Sequence, residues 1–211
     1  MKRIIGFCIA LIMLGSCRST YVTHSWKDAS ASPARFKKLV VIAIVGDQEI
    51  EARKMMEQHM VGDLKELGYQ AVCSCEEYSP EFFKGMNEKE AIAKLRENNV
   101  DGIVTIVLLS KNKEKVFVQP RSTEVPLFWN YYHEVYDRVY SKGYYTEKTK
   151  YFWESNLYDL NADQLLCSVE SQSFDPSSTQ QLAHEYGRLI VDKMKKAHAL
   201  VKQDGRILKP M

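Results

Sequence analysis

Two nearly continuous apolar runs, Leu39 to Val45 and Ile103 to Leu109, constrain the fold of this chain more than any other feature. Both are rich in β-branched residues and too short for core helices, so each reads as a strand buried on both faces. A strand of that kind needs a layer on each side of its sheet, and the residues between the runs are patterned to supply one. Met56, Met60, Leu64 and Leu67 recur at helical spacing, and Gly68 closes that helix as a C′ glycine. Asp47, after the turn at Gly46, is placed to cap the same helix. Tyr69 to Cys73 resumes as a strand. Asn87 and Glu90 have capping-box spacing for a second helix with Ile92 and Leu95 inward, and Asp101-Gly102 leads into the second run. This β-α-β-α-β order predicts right-handed crossovers and three parallel strands.

The second half changes character. Lys115 to Val118 reads as a short strand, and Pro120 and Pro126 bound a loop. Thr149 to Leu160 and Gln164 to Phe174 read as strands joined through the turn Asn161-Ala162-Asp163. A terminal helix starts at Asp175-Pro176-Ser177-Ser178, with Leu182, Tyr186, Leu189, Ile190, Met194 and Ala197 as its apolar stripe. Lys193, Lys195 and Lys196 suit its C-terminal end. The expected class is α/β: a mixed sheet with a parallel start, an antiparallel hairpin, a C-terminal helix, and helices packed on the sheet. One domain over residues 36–203, with a tail at 204–211, is long enough to bury a sufficient core.

The N-terminal residues read as a leader. Lys2 and Arg3 precede an apolar stretch, Ile4 to Leu14, too short for a bilayer core of about 30 Å, which takes roughly 20 apolar residues. Leu14-Gly15-Ser16-Cys17 follows and resembles the lipobox of bacterial lipoproteins. The resemblance implies removal of residues 1–16 and acylation of Cys17, whose two or three fatty chains would hold the protein on a membrane. The next residues, Arg18, Ser19 and Thr20, include no Asp and no acidic cluster. In such lipoproteins that pattern implies the outer membrane and its periplasmic face. Residues 17–35 are expected to form a tether, with Trp26 packed back on the body. Losing Lys2 and Arg3 leaves 27 basic against 27 acidic residues. A balanced chain has no electrostatic reason to bind nucleic acid.

Chemistry is harder to find. The chain has no nucleophile elbow, phosphate loop, dinucleotide fingerprint or zinc-protease helix, so no cofactor and no metal are expected. Glu49 beside Asp47 argues against an anionic ligand at the first strand-to-helix turn. His133, Glu134 and Asp137 are close in sequence and read as a solvated patch. Arg53 and Glu57 fit an i, i+4 surface pair. Cys73 and Cys75, read as strand residues, would lie roughly 6.5 to 7 Å apart, too far for an easy bridge. Cys167 is placed to pair with either one if their strands neighbour, although three simply buried thiols fit as well. A one-residue spacing is not the C-x-x-C of thioredoxin-like sites, so a redox role is not expected.

The most unusual feature is aromatic. Eleven of the chain's 23 aromatic residues fall in the 26 residues from Phe128 to Trp153. Trp129, Tyr132, Tyr136, Tyr140, Tyr144 and Tyr145 form the candidate contact surface. Spacing alone does not decide between a helix and a strand here. Such rings suit a protein interface or the face of a sugar, and equally the private core of a long loop.

Taken together, several segments resemble a family of periplasmic lipoproteins common in Bacteroides-type bacteria. They are the lipobox at Cys17, the strand from Lys38 to Val45, Glu66-Leu67-Gly68-Tyr69, Val100-Asp101-Gly102-Ile103-Val104, the Tyr140 to Tyr145 stretch and Asn156-Leu157-Tyr158-Asp159. The expected architecture is similar to the amino-terminal domain of the Tol-Pal translocation protein. It is also similar to lipoproteins that activate peptidoglycan synthases and to the curli-secretion lipoprotein. The resemblance implies a non-catalytic envelope protein, anchored through Cys17, that docks a periplasmic partner or assembles with itself. The alternative is a glycan- or peptidoglycan-binding module that uses the Tyr-rich segment 128–153.

Overall fold

The computed structural model describes residues 19–203 except Ala34, residues 79–81, Lys84 and residues 119–143. In chain order the strands are β1 (Thr20–Lys27), β2 (Leu39–Ile44), β3 (Ala71–Cys73), β4 (Gly102–Val118), β5 (Tyr144–Asp159) and β6 (Gln164–Phe174). The helices are α1 (Ile50–Glu66), the single turn α2 (Ser74–Glu77), α3 (Glu88–Glu97) and α4 (Thr179–Lys196). The six strands form one mixed sheet, ordered β1-β6-β5-β4-β2-β3. As the β-α-β-α-β pattern requires, β2 pairs in parallel with both β3 and β4. β5 and β6 form the antiparallel hairpin around residues 160–163, where Asp159 accepts hydrogen bonds from the backbone of Asn161 and Ala162.

Two apolar layers cover the sheet. On one face α1 and α4 bury Met56, Met60, Leu64, Tyr186, Ile190 and Met194 against Leu39, Val41, Ile106, Trp153, Leu157 and Val169. On the other, Leu95 of α3 packs with Tyr78, Val100 and Leu160 against Val40, and Ile92, Phe82 and Phe83 border that cluster. β2 alternates between the two layers, so its whole side-chain set is covered, as its composition demands.

Several local expectations meet the structure directly. Asn87 and Glu90 close a reciprocal capping box at α3, and Ser178 accepts from the Gln181 N–H to cap α4. Gly68 has φ +91°, and a Cβ there would lie 2.8 Å from the Gln203 carbonyl oxygen, so only glycine fits this helix end. α1 opens at Ile50, after a 3₁₀ turn over Asp47–Glu49, so its N-cap position is Glu49, which makes no side-chain cap, and not Asp47.

Four readings need correction. The segment expected to be a tether contains β1, which pairs antiparallel with β6 and completes the sheet. Trp26 lies on that edge strand and is 46% exposed rather than folded back. Lys115 to Val118 is the far end of a 17-residue strand, not a separate short one. The strand before the cysteines ends at Cys73, and Cys75 lies in the first turn of α2. That turn shortens the Cα separation to 5.1 Å, so Cys73 bridges to Cys75, while Cys167 stays free and buried.

The two long helices meet at Gly187, where a Cβ would stand 2.7 Å from Asp63 Oδ2 and 3.2 Å from the Met60 nitrogen. Burial first, and then the neighbouring Glu66 charge, push the Asp63 carboxyl up to about 6. A raised carboxyl leaves the folded state holding more protons than the unfolded chain between its ordinary 3.8 and about 6. Its contribution is therefore intact in acid and is lost as pH climbs through that window. Asp63→Asn is expected to remove this component. Subtracting the wild-type curve of melting temperature against pH from that of the variant should give a rise between about pH 4 and pH 6, read by circular dichroism.

Candidate functional site

The site is built around a carboxylate that sequence reading placed on the surface. Glu57 follows Met56 on α1 and precedes Val61 by one helical turn, so it lies beside the apolar row Ala52-Met56-Met60-Leu64 and not opposite it. Its side chain is fully buried. A buried charge needs a complete set of donors, and three elements supply them. Oε1 accepts from the Ala43 N–H of β2 at 2.8 Å and from Arg53 Nε at 3.2 Å. The Ser74 hydroxyl lies 2.9 Å from Oε1 and 3.0 Å from Oε2. Oε2 also accepts the Cys75 N–H at 2.9 Å and stands 3.0 Å from Cys73 Sγ. Arg53 Nη2 lies 3.2 Å from the Ser74 hydroxyl, which closes the network.

The pair read as exposed is thus an ion pair with one partner fully buried. A wheel drawn with two rows instead of one would have shown the signal: a charge set next to four apolar inward positions. The Cys-Ser-Cys segment escaped because strand spacing was extended two residues too far. The two sulfurs and the Glu57 carboxylate lie within 4.8 Å of one another. While the disulfide is closed the sulfurs are no thiolates and the carboxylate is filled with donors. The group therefore does not suit a cation. Cys167 stands apart from this chemistry, since burial pushes its thiol up and keeps it protonated.

Ser74 and Arg53 also line one end of a groove of about 750 Å³ on the α3 face of the sheet. Its floor includes Ile42, Ile103 and Tyr158, and its wall Phe83, Ile92 and Leu95. The lining is mostly apolar, with Asp159 and Asp163 toward the hairpin turn.

A second feature is a two-stranded ribbon. β2 stops pairing with β4 at Val107, and β6 stops pairing with β5 at Lys150. β4 and β5 continue together through six more pairs, from Lys113 with Thr149 to Val118 with Tyr144. At about 3.4 Å per residue this extends roughly 20 Å beyond the sheet. Cross-strand ion pairs, Lys150 with Glu114 and Lys113 with Glu147, lie at 2.8 and 3.7 Å, and Lys148 reaches Asp175 at 2.9 Å.

Cys17, Trp129, Tyr132, Tyr136 and Tyr140 lie outside the described residues, as do His133, Glu134 and Asp137. Tyr144 and Tyr145 open β5, paired with Val118 and Phe117 at the far end of the ribbon. The spacing left helix and strand open, and for these two residues the backbone is strand. Ser19, two residues after Cys17, is already bound to the body: its N–H and hydroxyl donate to Glu185 Oε2 at 2.8 and 2.9 Å. Among the described residues no helix is long and apolar enough to cross a membrane, which says nothing of a β-barrel.

No protein-family model matches the chain, and no curated protein matches it significantly. Solved structures to which the chain shows a low similarity include three from bacteria. The PelC dodecamer of Paraburkholderia phytofirmans is 10% identical, with 87% of this chain and 99% of that one covered and a TM-score of 0.45. A lipoprotein of Neisseria meningitidis is 14% identical, with 77% and 99% covered and a TM-score of 0.43. A homologue of neuraminyllactose-binding hemagglutinin from Helicobacter pylori is 10% identical, with 81% and 90% covered and a TM-score of 0.40. At these levels nothing of their function transfers to this chain.

Removing the Glu57 carboxylate should strand three donors, the Ala43 and Cys75 N–H groups and the Ser74 hydroxyl, and the Arg53 charge. Glu57→Ala is expected to destabilise the domain by about 3 to 5 kcal/mol, and Glu57→Gln by less, as read from urea midpoints. Equal midpoints for wild type and Glu57→Ala would show that water replaces the carboxylate.

Proposed function

We propose that this chain is a lipid-anchored protein of the bacterial cell envelope. It docks a partner, or further copies of itself, on the periplasmic face of the outer membrane, and docking as such asks no reaction of the domain. The observation that carries this reading is the place of the ribbon relative to the anchor. β1 runs antiparallel to β6, with Thr20 opposite Ser173, while β5 carries Tyr151 opposite Ser173 and Lys150 opposite Phe174. Ser19 therefore enters the sheet at the end from which the ribbon leaves. Once Cys17 carries lipid, only Arg18 and Ser19 separate it from β1, a reach of about 10 Å at most. The domain is then held against the bilayer, and the ribbon that leads to the Tyr-rich segment is held near the membrane with it.

An isolated two-stranded ribbon is marginally stable in water, so one about 20 Å long is suited to gain its support from another protein. Trp129, Tyr132, Tyr136, Tyr140, Tyr144 and Tyr145 supply aromatic area of the kind that interfaces favour. The partner that fits this placement is itself membrane-bound: a neighbouring copy or an embedded envelope protein.

Cys17→Ser is expected to move the protein from the membrane fraction to the soluble periplasmic fraction, with the domain's circular dichroism unchanged. Capture from solubilised envelopes tests the contact surface. The combined Tyr136→Ala, Tyr140→Ala and Tyr144→Ala variant should lose partners that the intact protein retains. Identical partners for both would remove the aromatic surface from the proposal. Retention on purified peptidoglycan that the triple variant loses would replace docking by glycan binding.

A further inference from the structure

We propose that Cys73 and Cys75 are a redox-active pair that exchanges its disulfide with two thiols of a partner protein, Glu57 carrying the proton. The inference stands on the buried cluster alone and not on the docking surface. Three observations support it.

The first is the size of the closed loop. A bridge across the single residue Ser74 restrains almost none of the unfolded chain, so it does little as a staple. The segment is held without it, by pairing of β3 with β2 and by the Ser74 and Cys75 bonds to Glu57. The second is asymmetry of access. Cys75 is half-buried, whereas Cys73 is 1% exposed, so an incoming thiolate meets Cys75 first. The third is what surrounds the inner sulfur. Cys73 Sγ lies 3.0 Å from Glu57 Oε2 and accepts the Cys75 N–H at 3.2 Å. A disulfide sulfur has no proton to donate. The contact with Oε2 therefore becomes a hydrogen bond only in the reduced protein, and the N–H is aimed at a departing thiolate. Among the described residues the remaining thiol, Cys167, is buried and held protonated, so it does not compete.

The step balances as follows in atoms and electrons. A partner thiol gives up its proton and its thiolate attacks Cys75 Sγ. The Cys73–Cys75 bond breaks, and Cys73 leaves as a thiolate that takes a proton through Glu57. The partner's second thiolate then attacks its own sulfur in the mixed disulfide. Cys75 leaves and takes that thiol's proton. The partner dithiol has lost two electrons to become a disulfide, and Cys73 and Cys75 have gained them as thiols. Run in reverse with a partner disulfide, the same steps close the bridge again.

The test uses the purified full-length protein, without denaturant, in millimolar mixtures of reduced and oxidised glutathione. Alkylation and mass spectrometry should show the Cys73–Cys75 bridge opening and closing with the mixture, with the glutathione adduct on Cys75 and Cys167 untouched. With oxidised glutathione as the terminal oxidant, the protein should turn over a dithiol peptide. Given a disulfide peptide and no glutathione, reduced Cys73→Ser should instead stop at a mixed disulfide on Cys75, because the thiol that releases the peptide is gone. Glu57→Gln should slow exchange on the order of a hundredfold while its circular dichroism stays that of the wild type, which loss of the fold would not do. A bridge that never interconverts in the folded protein, an adduct on Cys73, or release of the disulfide peptide by Cys73→Ser as readily as by wild type overturns the proposal. If Glu57→Gln does not fold, the wild-type adduct site and the Cys73→Ser result still decide.

Discussion

The need to cover β2 on both faces organises this molecule. Val40 and Ile42 point into one layer and Leu39, Val41 and Ala43 into the other, so neither side of the strand tolerates water. The crossover through α1 covers one face, with α4 added from the far end of the chain. The crossover through α3 covers the other, helped by Tyr78, Phe82 and Phe83. Right-handed parallel connections leave few other arrangements. β5 and β6 then extend the sheet past β4 by simple hairpin pairing, and β1 adds its edge.

Within that frame Glu57 ties its own helix to two elements remote in sequence. The carboxylate reaches Ala43 of β2, Arg53 on its own helix, and Ser74 and Cys75 beyond β3. Breaking a buried pair costs more than forming it gains, so such a group is a poor device for stability alone. Its use is positional. The network holds the Cys73-Ser74-Cys75 turn in one conformation and sets a carboxylate oxygen against the less accessible of two sulfurs. The structure thus holds the parts of a thiol-exchange site in a chain whose local spacing argues against one.

The ribbon is the other departure from a plain α/β domain. Most strands stop where their neighbours stop, because unpaired edges attract unwanted partners. β4 and β5 continue together, charged along their exposed stretch and tied across by Lys–Glu pairs. Their shared end with Ser19 gives the domain a direction, with the chain's entry into the sheet and the projecting arm on one side and the β5–β6 turn on the other.

The sequence by itself determined the class of fold: period-2 and period-3.6 hydrophobicity, the capping box at Asn87, the glycine at 68 and the turn at 161–163 are local signals, and local geometry is where residue type acts most directly. It pointed also to Cys17, through a motif that is itself local. What only the tertiary structure decided depends on partners far along the chain. Residues 20–27 contain strand formers but no regular apolar alternation, and they become β1 because β6 offers an unpaired edge and Glu185 fixes Ser19. Glu57 looks like half of a surface pair until Ala43, Ser74 and Cys75 arrive around it. The cysteine pairing turned on where one strand ends, a boundary set by what β3 packs against and not by its own residues. Long-range contacts decide these points because burial and hydrogen-bond completion are properties of the assembled core, which no short window of sequence contains.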